Sequence, residues 1–111
     1  MTLARRPVKR RRALADLVDD AVLRALATPS NLRLGREIVA RGEVEFVDFG
    51  RFRVVARVGG GQWRTFELKS MPAGLRWKCT CTGRRERLCK HGVATGLAVR
   101  RRTRRKVAAK T

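Results

Sequence analysis

The three cysteines and the single histidine of this 111-residue chain fall in one short stretch, as Cys79-Thr80-Cys81 and, after seven residues, Cys89-Lys90-His91. A chain of this length makes one domain with a small core, and small cores gain from a staple. Two closely spaced ligand pairs suit a tetrahedral zinc ion, which takes thiolate sulfurs at about 2.3 Å and an imidazole nitrogen at about 2.0–2.1 Å. Three Cys and one His fill all four positions. A Cys79–Cys81 disulfide instead strands Cys89, and an odd number of cysteines fits metal binding in a reducing compartment better than a disulfide framework. A closed four-ligand site has no open position for substrate, and the sequence offers no third group to orient a Cys/His nucleophile. The expectation is a structural Zn²⁺ held by Cys79, Cys81, Cys89 and His91, in a protein that is not an enzyme.

Electrostatics favours the same reading. Zn²⁺ with three thiolates and a neutral imidazole carries one net negative charge, and Arg84, Arg85, Arg87 and Lys90 surround it in sequence. Basic neighbours also favour the thiolate form. Across the whole chain, 28 Lys and Arg face 9 Asp and Glu, a net charge of +19. Six basic residues lie in 1–12 and seven in 100–111 with no acid in either, which leaves residues 13–99 at only +6. The pattern predicts two disordered cationic arms, 1–12 and 100–111, flanking one domain over 13–99. A polyanion relieves their self-repulsion, and nucleic acid is the commonest such partner. No apolar run approaches the ~20 residues that span a bilayer, and the N-terminus lacks a signal-peptide core. The expected setting is therefore the cytoplasm or nucleoid, with no membrane partner.

Periodicity predicts an α+β fold: N-terminal helices, a small antiparallel meander, a zinc-stapled strand and turn, and a C-terminal helix. Leu14, Leu17, Val18, Ala21, Val22 and Ala25 recur at helical spacing over 13–27. A second short helix follows over Leu32 to Val39, capped by Ser30 or Asn31 and stopped at Gly42. Beyond Gly42 the period becomes strand-like, with Phe52, Val54, Ala56 and Val58 on one face of residues 51–58. Val44 to Val47 reads as the strand before it, with a turn at Asp48-Phe49-Gly50. Gln62 to Leu68 completes a three-stranded meander, and 69–74 reads as a loop. Leu75, Trp77, Cys79 and Cys81 then share one side of an extended segment, with Trp77 in the core. The helix from His91 contains Gly92 and Gly96, each weaker than Ala by about 1 kcal/mol, so it needs outside support.

Cys-x-Cys, a spacer and Cys-x-His, followed by a small-residue helix, resemble the SWIM-type zinc finger. The likeness extends upstream through Gly35-Arg36, Gly42-Glu43-Val44 and the aromatic Trp77 before the first Cys, and covers about residues 31–99. It implies a zinc-stapled unit of strands and a helix with a binding role. Modules of this family accompany chromatin-remodelling-type helicases, mutator-type transposases, recombination factors and some signalling kinases, and are credited with binding DNA or proteins. With no partner domain in these residues, the resemblance implies association with a helicase-like or recombination protein on another chain.

Two functional readings lead, beside a third in which a small regulator senses redox state or zinc through the thiolates. In the first, the chain binds nucleic acid, DNA more than RNA. Its contacts are then Arg51, Arg53, Arg57, Arg64 and Arg76 on a cationic sheet face, Trp63 as a stacking platform, Arg84, Arg85, Arg87 and Lys90 around the metal, and Arg100, Arg101 and Arg102 in the tail. The plain alternative for Trp63 is packing beneath the N-terminal helix. In the second reading the meander or first helix docks a helicase-like protein, and the basic arms only assist. Asp16, Asp19 and Asp20 read as a solvated helix face, and Gly59-Gly60-Gly61 lacks the Lys-Ser/Thr of a phosphate loop.

Overall fold

The computed structural model describes residues 11–81 and 87–110, with side chains through residue 105. The elements are α1 (Leu14–Leu17), α2 (Asp20–Leu26), α3 (Pro29–Ala40), β1 (Val44–Phe49), β2 (Arg53–Val58), β3 (Arg64–Met71), β4 (Gly74–Cys79) and α4 (Lys90–Lys110). The four strands form one antiparallel sheet in the order β1-β2-β3-β4. The fold is α+β, with α4 following the Cys cluster.

The amphipathic run 13–27 is two helices rather than one. Asp19 adopts extended backbone and its side chain accepts a hydrogen bond from the Val22 amide at 2.8 Å, which starts α2 afresh. The break lets Leu14 and Val18 from one piece and Leu23 and Ala27 from the other all reach the core. α3 begins earlier than expected, because Thr28 accepts from the Asn31 amide at 3.1 Å and Pro29 supplies a preset first helical position. Gly42, at φ 70°, takes the left-handed conformation that ends it.

The meander has four strands, not three. A bulge at Val47 lets Asp48 and Phe49 stay paired with Val55 and Val54, so they belong to β1. Lys69, Ser70 and Met71, polar enough to read as loop, continue β3 and pair with Arg76, Leu75 and Gly74. Ser70 is buried there because its hydroxyl donates to the Arg12 carbonyl.

Val54, Ala56, Val58, Phe66 and Leu68 make the buried face of the sheet, and Leu14, Leu23, Ile38, Val93 and Val99 pack on it from the helices. α4 crosses this core at close range: a Cβ on Gly35 of α3 would sit 2.5 Å from Val93 Cγ1, and one on Gly92 would sit 2.7 Å from Phe66 Cζ. Glycine costs helix propensity and permits this contact. α4 also runs on to Lys110. Residues 100–110 are therefore helix where charge alone points to a disordered tail. Val99 is buried and Thr103 half-buried, so the globule carries the helix into its basic half. Most of the N-terminal arm lies outside the described residues.

Candidate metal centre

β4 and α4 deliver the two ligand pairs from opposite directions. Cys79 ends β4 opposite Phe66, and the next residue is clamped to β3 twice: the Thr80 amide donates to the Thr65 carbonyl at 3.1 Å, and the Thr80 hydroxyl accepts from the Thr65 amide at 3.0 Å. The second pair opens α4, where the Cys89 carbonyl accepts from the Val93 amide at 3.0 Å. Leu88 is buried, donates its amide to the Leu26 carbonyl at 2.8 Å, and accepts at its own carbonyl from Asn31 Nδ2 at 3.3 Å. Asn31 thus secures the approach to Cys89 rather than capping α3. Lys90 turns its ammonium to the Gly60 carbonyl at 3.0 Å.

These anchors bring one ligand atom each from Cys79, Cys81, Cys89 and His91 within 4.8 Å of one another. Cys79 Sγ and His91 Nδ1 are 3.7 Å apart. A tetrahedron with arms of zinc–sulfur length has edges of about 3.8 Å, so the cluster is close to the size that four-coordination needs. His91 is 5% exposed and the three cysteines are half-buried, which shields the site without closing it off. The set could hold a metal ion, and three soft sulfurs with one imidazole are consistent with zinc and poorly matched to magnesium or calcium.

The thiols divide sharply. Hydrogen bonds from Cys79, His91 and the Gly92 amide, the first the largest, bring Cys89 down to about 4 against the opposition of burial. Cys79, as donor to Cys89, is pushed far up, with burial adding to the rise. Burial chiefly raises Cys81. Ionising all three sulfurs together is opposed, because adjacent negative charges repel. A cation among them is what lets all three ionise together.

The other candidate residues separate into distinct environments. Arg84 and Arg85 lie outside the described residues, and Arg87 is exposed. Arg64 pairs with Val58 in register, so it shares the inner face and bears electrostatically on Cys81 instead of joining Arg57 outside. Arg53 sits between Asp48 at 3.0 Å and Glu67 at 2.7 Å. Arg57 lies over the Trp63 ring at 5.7 Å, and Trp63 is 42% exposed rather than packed beneath a helix. Arg51 stands over Phe52 at 5.3 Å, and Arg76 is exposed on β4. In α4, Arg100 is tied to Asp20 at 2.7 Å, and its hydrogen bond and charge hold that carboxyl below its ordinary value. Arg102 lies 4.1 Å from the Phe49 ring centroid, with Phe46 beside it. Arg101 is exposed, and so are Arg104 and Arg105. These last two join Arg36 of α3 along one trough, a grouping that only the helix register reveals.

No helix among the described residues is long and apolar enough to cross a membrane. No protein-family model, curated protein or solved structure matches the chain.

Proposed function

We propose that the chain is a zinc-stapled binding module of SWIM-like character that binds nucleic acid, DNA in preference to RNA, and carries out no catalysis itself. The observation that carries this reading is the joining of two features on α4: the Cys89–His91 ligand pair at its N-terminal end and the exposed Arg101, Arg104 and Arg105 further along. The metal supplies the charge that holds three thiolates at the junction of β4 and α4. The protein's own part is to grip phosphate with arginines presented on a folded surface, at little cost in ordering.

A docking module for a helicase-like or recombination protein is the second reading. It is favoured by Val47, which is 64% exposed on the edge strand β1. Elemental analysis of protein purified without chelator is expected to find one zinc per chain. Anisotropy titrations with single- and double-stranded DNA and RNA are then expected to show binding that weakens steeply with salt. Absence of binding to all four forms at low salt removes the nucleic-acid reading and leaves the docking one.

A further inference from the structure

The basic residues of this chain are not equivalent, and their carboxylate partners separate them. On the outer face of the sheet, Arg53 is engaged by Asp48 and Glu67, Lys69 lies 3.7 Å from Glu67, and Glu45 and Glu67 stand opposite Arg57 and Lys78 in the strand register. A phosphate approaching this face must displace carboxylates already in place. Arg100 is likewise held by Asp20, and Arg102 is laid over the Phe46–Phe49 pair.

The contrast is with Arg36, Arg101, Arg104 and Arg105. All four are exposed and none forms an ion pair among the described residues; Arg57 and Arg76 on the sheet form none either, but Arg57 stands opposite Glu45 in the strand register and Arg76 lines the same hollow as Glu67. They fringe a trough of about 460 Å³ between α3 and α4, whose floor is Val39 and Leu97. Arg101 with Arg104 and Arg105 stands at the i,i+3 and i,i+4 spacings that put side chains on one helix face. Like charges at those spacings destabilise a helix, so an anion bound along the row relieves repulsion that the fold maintains. The floor offers no aromatic anchor of the kind that dominates protein–protein hot spots. Its chemistry is dense guanidinium over a small apolar base, which suits the phosphodiester backbone of a nucleic acid.

We infer that the phosphate-contacting face is this α3–α4 trough, centred on Arg36, Arg101, Arg104 and Arg105, and not the outer face of the sheet. The inference rests on the nucleic-acid reading above and specifies where that reading acts. Arg36 and the tail arginines form one surface although they are far apart in sequence. Contact is to the backbone, so base sequence matters little.

The test compares R101A/R104A/R105A with R53A/R57A/R76A, using the full chain loaded with zinc. Circular dichroism and zinc content check folding, and alanine favours the helix. Probes are a DNA duplex and an RNA duplex of the same sequence, titrated from about 50 to about 200 mM salt, where each neutralised phosphate adds about 0.9 to the logarithmic slope. Three fewer neutralised phosphates lower the slope by about 2.7 and take about 40-fold out of the affinity change across that range. This decrease is expected for the helix triple, with the sheet triple close to the parent. R101K/R104K/R105K, which keeps the charges, is expected to restore the slope. The result with the two duplexes identifies which nucleic acid the trough prefers. An unchanged slope in the helix triple, or a larger decrease in the sheet triple, overturns the placement while leaving nucleic-acid binding intact. Failure of the parent protein to bind either duplex at the lowest salt overturns the nucleic-acid reading itself.

Discussion

A methyl group added at position 35 meets Val93 Cγ1 at 2.5 Å and the Ala94 backbone nitrogen at 3.1 Å, both on α4. The backbone of Gly35 is ordinary helix, so alanine gains about 1 kcal/mol of propensity there. Overpacking a close helix contact costs about 1–3 kcal/mol, and here the obstacle includes backbone that cannot rotate away. Gly35→Ala is therefore expected to lower stability in urea unfolding in spite of its better propensity. A stabilised variant would show that α3 and α4 part easily. The same reasoning explains why Gly92 and Gly96 are weak in propensity and yet fit this helix: Gly92 lies against Phe66 and Leu88, and Gly96 against Leu23 and Val18.

At the scale of elements, the candidate metal site is a seam between a strand and a helix. β4 is a sheet edge, and the start of α4 is tied back through Leu88 to α2 and α3. Cys89→Ser removes one sulfur and leaves two thiols and an imidazole, too few for a closed site. The expected result is loss of zinc and faster amide exchange through the start of α4 and the end of β4, with β1 and β2 less affected because their pairing does not involve the cluster. Uniform protection across the chain in this variant would contradict the seam. Much of this arrangement is legible in the sequence. The ligand types and spacings stand there in plain order, and the alternation of Val54, Ala56 and Val58 marks a buried face. What is not legible depends on register and long-range partners. Arg64 changes face because it stands opposite Val58, Ser70 is strand because Arg12 satisfies it, and Asp19 divides a helix whose apolar period continues across it. The basic half of α4 is hidden for a related reason. Its helicity depends on Val99 and Thr103 meeting the globule, which local composition does not report.

For the molecule as a whole, a net charge of +19 on 111 residues is a burden on the folded state, because compaction brings like charges together. Salt shortens the Debye length from about 30 Å at 0.01 M to about 8 Å at 0.15 M and screens that repulsion. The exposed ion pairs of Arg53, Arg33 and Arg41 contribute little and are themselves screened. The melting temperature of the zinc-loaded protein is expected to rise over this range of salt. A fall would mean that specific ion pairs outweigh the overall repulsion. The chain also contains two tryptophans and no tyrosine, so excitation at wavelengths longer than phenylalanine absorbs draws emission from indole alone. Those two indoles look in opposite directions. Trp63 is exposed beneath Arg57 on the outer side, whereas Trp77 stands opposite buried Leu68, on the inner side and two residues from Cys79. Replacing Trp63 with phenylalanine leaves one indole beside the cluster of Cys79, Cys81, Cys89 and His91, and the protein then carries its own optical gauge of whether a metal ion fills it.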